Sequence, residues 1–574
     1  MSVTGAFQES RDYWSVGQLI SIQVGENRVV GLLHKVQSQT PYWKPKEHNA
    51  FTLHVELSGE VRPNGQGSSV FSGGITKYPH LGAVAHRIRH ADLRTIYSAT
   101  DNSVVSVGTL SQNADVTALV SVDTLLARHF AVFGTTGTGK STAVSLLLHL
   151  IADKKPNQRI LILDPHDEYA NAFGKKAVTL SAESLDLPFW MLTLEELAHV
   201  IFRGTPVIEE EVNALRDLIV RAKQQYRKKR SFDMPSETGN SAGLTADLPV
   251  PYRLADLMSL IQSNIGSLDR AQQRTTLTQL KWRLESIIND PRYGFLFGSN
   301  DVTDRMEIIL GQIFRLPLER QPITVFQMSG IPSEVVDSIA SVLCRFAFEI
   351  ALASHSRTRT LIVCEEAHRY IPAEASGAFA PTRTAIARIA KEGRKYGVSL
   401  AIISQRPNEL DPTILSQCNT LFALRLGNES DQRIIRKALS MRSHSSLNFL
   451  SSLADRECIA FGSALPLPMR LCFRNVPLAA RPKSALITSS QDMNETLAIK
   501  SIVATLRGTP KPGRNMKAGR LADRINPSQS PSAHVSQAQK VTHATPKSGL
   551  ELRQQLSTKL LEPDDDLELL DGDM

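Results

Sequence analysis

The nine residues Gly134-Thr135-Thr136-Gly137-Thr138-Gly139-Lys140-Ser141-Thr142 have types and spacing suited to holding phosphate. They spell G-x-x-x-x-G-K-[ST]. The apolar run Ala131-Val132-Phe133 leads into them and the helical pattern AVSLLLHLI follows, the strand-to-helix setting that this motif requires. Its glycines let successive backbone N–H groups turn inward around an anion at the positive end of a helix. Lys140 is placed to reach the β and γ phosphates, and the Ser141 hydroxyl to ligate Mg²⁺. The expected ligand is a nucleoside triphosphate, ATP with Mg²⁺. The plain alternative is a glycine-rich turn.

Downstream, Thr360-Leu-Ile-Val-Cys364 is an apolar strand pattern that ends in Glu365-Glu366. After a phosphate loop, such a pair reads as a Walker B strand. The first carboxylate faces the metal shell, and the second orients and deprotonates the attacking water. Glu366 is the expected base. Glu365 stands where Asp is commoner, and its longer side chain reaches the metal most easily through water.

Further candidates lie at element ends. Strand Arg159–Leu163 runs into Asp164-Pro165-His166-Asp167-Glu168-Tyr169, where Asp164 or Glu168 could position water or metal, or only cap a loop. Strand Val398–Ile403 ends at Ser404-Gln405-Arg406, and a glutamine there can sense the γ-phosphate through water. Helix Pro381–Tyr396 carries Arg383, Arg388 and Arg394, any of which could act as a finger across a subunit boundary or stay an ordinary surface residue. Arg128, just before the first strand of the nucleotide domain, is a further candidate phosphate contact.

Positioning these residues requires an α/β core. Strands are expected near 131–133, 159–163, 322–327, 360–364, 398–403 and 420–426, giving at least five, mostly parallel. Between about 192 and 318 the spacing is helical, an insertion that separates the phosphate loop from the Walker B strand. Its polar stretch Ser231–Leu248 reads as a mobile loop. The run RAKQQYRKKR (221–230) suits either nucleic acid or a solvated helix end. Before the core, short β-rich runs separated by turns from about Val16 to Tyr97 suggest a small β-barrel. VGTLSQNADVTALVSVDTLLARH (107–129) reads as the join between the two. The expected organisation is 1–105 barrel, 106–190 core, 191–320 helical insertion, 321–480 core, and 481–574 a mostly disordered tail with an acidic end.

Composition sets the class. In 574 residues, 42% are hydrophobic and 21% charged, a soluble globular balance over two or three domains. A net charge of +8 permits a polyanionic partner. The five cysteines are scattered without a CxxC pair, which suits reduced core residues rather than a zinc site or disulfide frame. No apolar stretch approaches the roughly 20 residues needed to span a bilayer, and the first residues lack a signal-peptide form. The reading is a cytoplasmic protein with no membrane contact.

Taken in order, GTTGTGKST, LDPHDEY, LIVCEEAHRYIP, EGRKYGVSLAIISQRPNEL and SQCNTLFALRL resemble the HerA-type hexameric ATPases, in the HerA/FtsK branch of the RecA-like P-loop proteins. The likeness spans roughly residues 10–480. It implies a RecA-like core, an N-terminal barrel like the family's HAS domain, and a homo-hexamer with ATP at subunit interfaces. By the same resemblance Arg394 is the finger reaching the neighbour's ATP, Gln405 the polar sensor, Arg128 a further nucleotide contact, and Asp164 an acid near metal and water. The family implies a helicase-type motor translocating on double-stranded DNA. Its partner is an effector, a NurA-like or other nuclease or a sirtuin-like NADase, in DNA end processing or antiphage defence. A second reading is an ATP-gated scaffold that regulates its effector without moving on DNA. A third, a secretion or conjugation ATPase, is disfavoured by the lack of a membrane anchor.

Overall fold

The computed structural model describes residues 2–7, 14–39, 49–64, 68–98, 102–181, 184–185, 187–203, 205–231, 243–267, 271–298, 303–373, 380–438 and 449–482. The expected tail therefore lies outside the described residues from 483 onward, as does most of the polar stretch within the helical insertion. All described residues belong to one compact unit, Met1–Met493.

Six strands form the first sheet: β1 (Ser2–Phe7), β2 (Leu19–Val24), β3 (Asn27–Ser38), β4 (Asn49–Pro63), β5 (Ser69–Ser72) and β6 (Ala85–Arg87). They pair antiparallel along the path β1-β4-β3-β2-β6, with β5 on β4. Val29, Leu33, Leu53 and Val55 fill one face. The sequence reading expects a small β-barrel here; among the described pairings the strands form a sheet whose ends, β1 and β6, do not pair with each other.

The second sheet has eleven strands. In chain order they are β7 (Val104–Leu110), β8 (Asn113–Ser121), β9 (His129–Phe133), β10 (Arg159–Asp164), β11 (Ala177–Ser181), β12 (Ile323–Gln327), β13 (Thr360–Cys364), β14 (Val398–Ser404), β15 (Cys418–Ala423), β16 (Glu457–Gly462) and β17 (Met469–Phe473). Their spatial order is β11-β12-β10-β13-β14-β9-β15-β16-β17-β7-β8. The first seven are parallel, and the remaining four add antiparallel. The segment read as a join is thus largely the β7–β8 hairpin, which extends the main sheet through β17.

Both faces of the parallel part are covered, which is why its strands read as unbroken apolar runs. Leu161, Leu163, Ile362 and Ile402 point to one side, and Ile160, Ile162, Val363 and Ile403 to the other. The first side packs helices Ser333–Ala353 and Ala380–Tyr396 together with the helical insertion, Leu194–Phe202 through Met306–Phe314. The other side packs the helix that follows the phosphate loop, Lys140–Lys154, through Ala143, Leu147 and Ile151. Parallel strands end on one edge, so the residues after β9, β10, β13 and β14 are brought together, although up to 271 positions separate them.

Candidate active site

The site begins where β9 ends. Gly134 is backed so closely that a Cβ would sit 2.9 Å from both Leu424 Cβ and Thr138 Oγ1. Gly137 and Gly139 adopt φ of +80° and +93°, the left-handed conformation that L side chains resist. The loop is fastened from the neighbouring strand: Thr135 N–H and its hydroxyl donate to the Arg425 carbonyl, each at 3.2 Å. From the other side, Arg456 N–H donates to the Thr138 carbonyl at 3.0 Å. The helix then starts at Lys140, with Gly139 as its cap. Its free N–H groups and dipole therefore face the loop.

Lys140 is buried and donates to two carboxylates, Glu365 Oε1 at 2.7 Å and Glu366 Oε1 at 3.2 Å. Burial opposes the charge on Lys140, but the two carboxylates hold its pKa above the ordinary lysine range. Burial pushes Glu365 up, and Lys140 only partly offsets this. For Glu366 the balance is reversed. Burial would raise it, yet Lys140 and Gln405 outweigh that and hold it below the usual carboxylate range, so it is ionised at neutral pH.

Glu366 itself sits at φ +49°, a strained setting for a side chain of this size. Gln405, arriving at the end of β14, donates its amide to Glu366 Oε1. His368 Nδ1 faces Glu366 Oε2 at 3.4 Å and Ser404 Oγ at 3.2 Å. These groups open on a cleft of ≈ 350 Å³ lined by His166, Glu366, His368, Arg369, Gln405 and Arg406. The sequence reading gave His166, His368 and Arg369 no role. Their only sequence cue is position, two and three residues after the expected base and two after Asp164.

Asp164 is buried beside Glu365, and burial lifts it to about 6. Its carboxylate accepts backbone N–H groups from His166, Glu168 and Tyr169 at 3.4, 3.2 and 2.9 Å. It therefore shapes the loop that follows β10. That loop carries Tyr169, whose hydroxyl donates to Glu365 Oε2 at 3.1 Å. For a cation beside the phosphate loop, the Ser141 hydroxyl and the Glu365 carboxylate offer oxygen donors. Such a set suits Mg²⁺, which keeps waters and phosphate oxygens as its remaining ligands. Among the described residues no group of three or more His, Cys, Asp or Glu forms a stand-alone metal site.

Lys140, Ser141, Asp164, Glu365, Glu366 and Gln405 thus converge at one edge. Arg128 and Arg394 do not. Arg128 precedes β9 and Arg394 precedes β14, so both lie where the parallel strands begin. That is a strand length of about 17 Å from the phosphate loop. Arg128 Nη1 donates to the Asn419 side-chain oxygen at 2.9 Å once that amide is oriented to satisfy both neighbours. Arg394 is exposed at the end of its helix, beside a cleft of ≈ 780 Å³ that Lys154, Lys155, Arg357, Arg359 and Lys395 also line.

The chain is similar to known proteins over much of its length. The family model described as "Helicase HerA, central domain" matches residues 105–347. Similar curated proteins include the DNA double-strand break repair helicase HerA of Pyrococcus furiosus, 24% identical over 432 residues, 67% of this chain and 73% of that one. The protein of the same name from Saccharolobus solfataricus is 25% identical over 400 residues, 68% of this chain and 72% of the other. That from Sulfurisphaera tokodaii is 22% identical over 475 residues, covering 79% and 87%. Among solved structures, VirB4 of Thermoanaerobacter pseudethanolicus aligns with a TM-score of 0.48 at 16% identity, over 67% of this chain and 99% of that one. The plasmid coupling protein TrwB in complex with ADPNP aligns at 0.45 and 13%, over 69% and 95%.

Proposed function

We propose that this chain, which is similar to the HerA helicases, is a HerA-type ATPase and one subunit of a homo-hexameric ring that hydrolyses ATP to translocate on or unwind double-stranded DNA. One observation carries the reading. A complete base-and-lysine constellation (Lys140, Glu365, Glu366, Gln405) stands at the finishing edge of the sheet, while the candidate finger Arg394 stands at the starting edge. A single chain cannot fold one edge onto the other. A head-to-tail contact between copies brings them together, and such a contact closes into a ring when its rotation permits.

In this reading the backbone of Gly134–Gly139, with Ser141 and Thr142, cradles the phosphates, and Lys140 exchanges its two carboxylates for phosphate oxygens. Mg²⁺, when bound at Ser141 and Glu365, neutralises phosphate charge. Withdrawal of Lys140 leaves Glu366 without its nearest counter-charge, which raises its basicity as the triphosphate arrives. Glu366 then accepts the proton of the attacking water in the cleft beside His368, with Gln405 fixing its carboxylate. Arg394, and with it Arg128, meets the nucleotide of the adjoining copy.

The net charge of +8 supports duplex DNA as the polyanion, and the relatives' names, DNA double-strand break repair helicases, point the same way. The HAS-like character of the N-terminal sheet and the domain boundaries given above belong to this proposal. So does an effector partner, a nuclease or a sirtuin-like NADase, in end processing or antiphage defence. Among the described residues no helix is long and apolar enough to cross a membrane.

The test is ATP turnover across a titration of linear duplex DNA, with Glu366→Gln as the blank. The expected result is stimulation that collapses as salt rises from about 50 to 200 mM. Turnover indifferent to DNA at every salt concentration contradicts the motor.

A further inference from the structure

The loop that joins helix Ser333–Ala353 to β13 is built more tightly than a connection needs. His355 and Ser356 sit at φ of +51° and +62°, left-handed settings that cost energy in residues other than glycine. Hydrogen bonds hold them there. Ser356 N–H donates to the Ala351 carbonyl at 2.9 Å and Arg357 N–H to the Ser354 carbonyl at 3.1 Å. Thr358 N–H donates to Ser354 Oγ at 3.2 Å. The last residue of the loop, Arg359, is fixed from both sides. Its carbonyl accepts from Arg159 N–H at 3.1 Å, and the N–H of Thr360 donates to the Gly397 carbonyl at 3.1 Å. Gly397 has φ +82°, and a Cβ on it would lie 3.2 Å from Arg359 Cγ. The arginine stem therefore lies across the glycine that ends EGRKYG.

This mounting sets Arg359 on the same cleft of ≈ 780 Å³ as Arg394, at the starting edge of the sheet. Arg357 and Lys395 line it too. The single acid in its lining, Asp123, is already engaged with Lys155 at 2.6 Å. Among the described residues no ion pair joins Arg357, Arg359, Arg394 or Lys395 to an acid. A concave wall of one sign, without counter-charges of its own, attracts an anion. A guanidinium fork grips phosphate oxygens two at a time. A cleft of this size takes a compact anion, whereas a stiff duplex would touch only its rim.

We propose that Arg359 is a further cation acting across the subunit boundary, gripping, beside Arg394, the phosphates of the nucleotide bound by the adjoining copy. This rests on the ring reading above and adds to it a residue from a separate element. Arginines mounted on a helix end and on a rigid loop fix the direction of approach to the phosphates as well as supplying charge.

Arg359→Met tests it, since methionine keeps an unbranched apolar stem over Gly397 and removes the charge. ATP turnover is measured for this variant, for Arg359→Lys, and for mixed assemblies with Glu366→Gln or with Arg394→Ala, verified by mass, alongside thermal unfolding. Arg359→Met should keep the wild-type melting temperature while kcat falls about 10²–10³-fold. Arg359→Lys should lose less. Mixing Arg359→Met with Glu366→Gln should restore turnover, because some junctions then pair an intact Glu366 with an intact Arg359. Mixing it with Arg394→Ala should restore none, because no copy then carries both arginines. Wild-type turnover in Arg359→Met overturns the proposal and leaves the ring reading intact. So does a loss confined to DNA affinity, or a lowered melting temperature that Arg359→Lys shares. An Arg359→Met protein that Glu366→Gln cannot restore, where it does restore Arg394→Ala, also overturns the proposal, since Arg359 then acts within its own chain. Failure of Glu366→Gln to restore Arg394→Ala itself would overturn the ring reading beneath it.

Discussion

Lys140 faces two acids at once, and this determines what single substitutions do. Lys140→Ala removes the cation shared by two buried carboxylates as well as the phosphate contact. ATP binding and turnover should both disappear, and the nucleotide-free protein should lose on the order of 3 kcal/mol of stability, measured by denaturant unfolding. Normal turnover in this variant would contradict the site assignment. Glu366→Gln keeps the contact with Gln405 sterically feasible and removes the proton acceptor. ATP binding should persist, while turnover falls about 10²–10⁴-fold. At this scale the sequence was informative wherever function follows from local order: the phosphate loop and the acid pair are contiguous in the chain and were assigned from it. Tyr169 and His368 were not, because their roles depend on contacts with residues 196 and 36 positions away.

The helix Ala380–Tyr396 is held along its length so that its exposed end keeps one direction. Thr382 Oγ1 donates to the Asp337 carbonyl at 2.6 Å, and Arg383 Nε to Asp411 Oδ2 at 2.7 Å. The Arg388 guanidinium lies 4.4 Å from the centroid of the Phe348 ring. His129 joins the helix to the sheet. Its Nδ1 accepts from Leu400 N–H at 3.0 Å, which assigns the ring proton to Nε2, and Nε2 donates to the Ala390 carbonyl at 3.0 Å. Burial holds this histidine down at about 4. The unfolded chain binds the proton below about 6.5 and the folded chain does not, so stability is intact above 6.5 and falls as pH drops toward 4. From this residue alone the loss between pH 7.5 and 5 is roughly 2 kcal/mol. Asp164 and Asp337, raised by burial to about 6 and about 7, contribute with the opposite sign. The informative quantity is therefore the difference between wild type and His129→Gln, which should shrink toward acid pH; a constant difference would contradict the assignment. The helix was legible from its apolar spacing. Its anchor was not, because His129 and Ala390 are 261 positions apart. Strands β11, β16 and β17 also escaped the sequence reading: β11 lies at the sheet edge with its partner β12 far along the chain, and β16 and β17 form an antiparallel hairpin inside the sheet.

At the scale of the molecule, the parallel half of the sheet separates the chemistry into two edges. Acids, lysine and phosphate loop stand where strands end; Arg128, Arg394 and a cluster of further cations stand where strands begin. The order of motifs along the sequence carried the family resemblance, but not the distance between these edges. Arg128 is six residues from Gly134 in the chain, yet a strand of five lies between them. That separation makes shared sites between copies the central claim, and mixed assemblies test it most directly. Arg394→Ala and Glu366→Gln proteins, each inactive alone, are combined over a range of ratios, with formation of mixed assemblies verified by mass. If the arginine acts across the boundary, some junctions pair an intact Glu366 in one copy with an intact Arg394 in the next, and ATP turnover should reappear with a maximum at intermediate ratios. Verified mixed assemblies that stay inactive at every ratio would contradict the shared site.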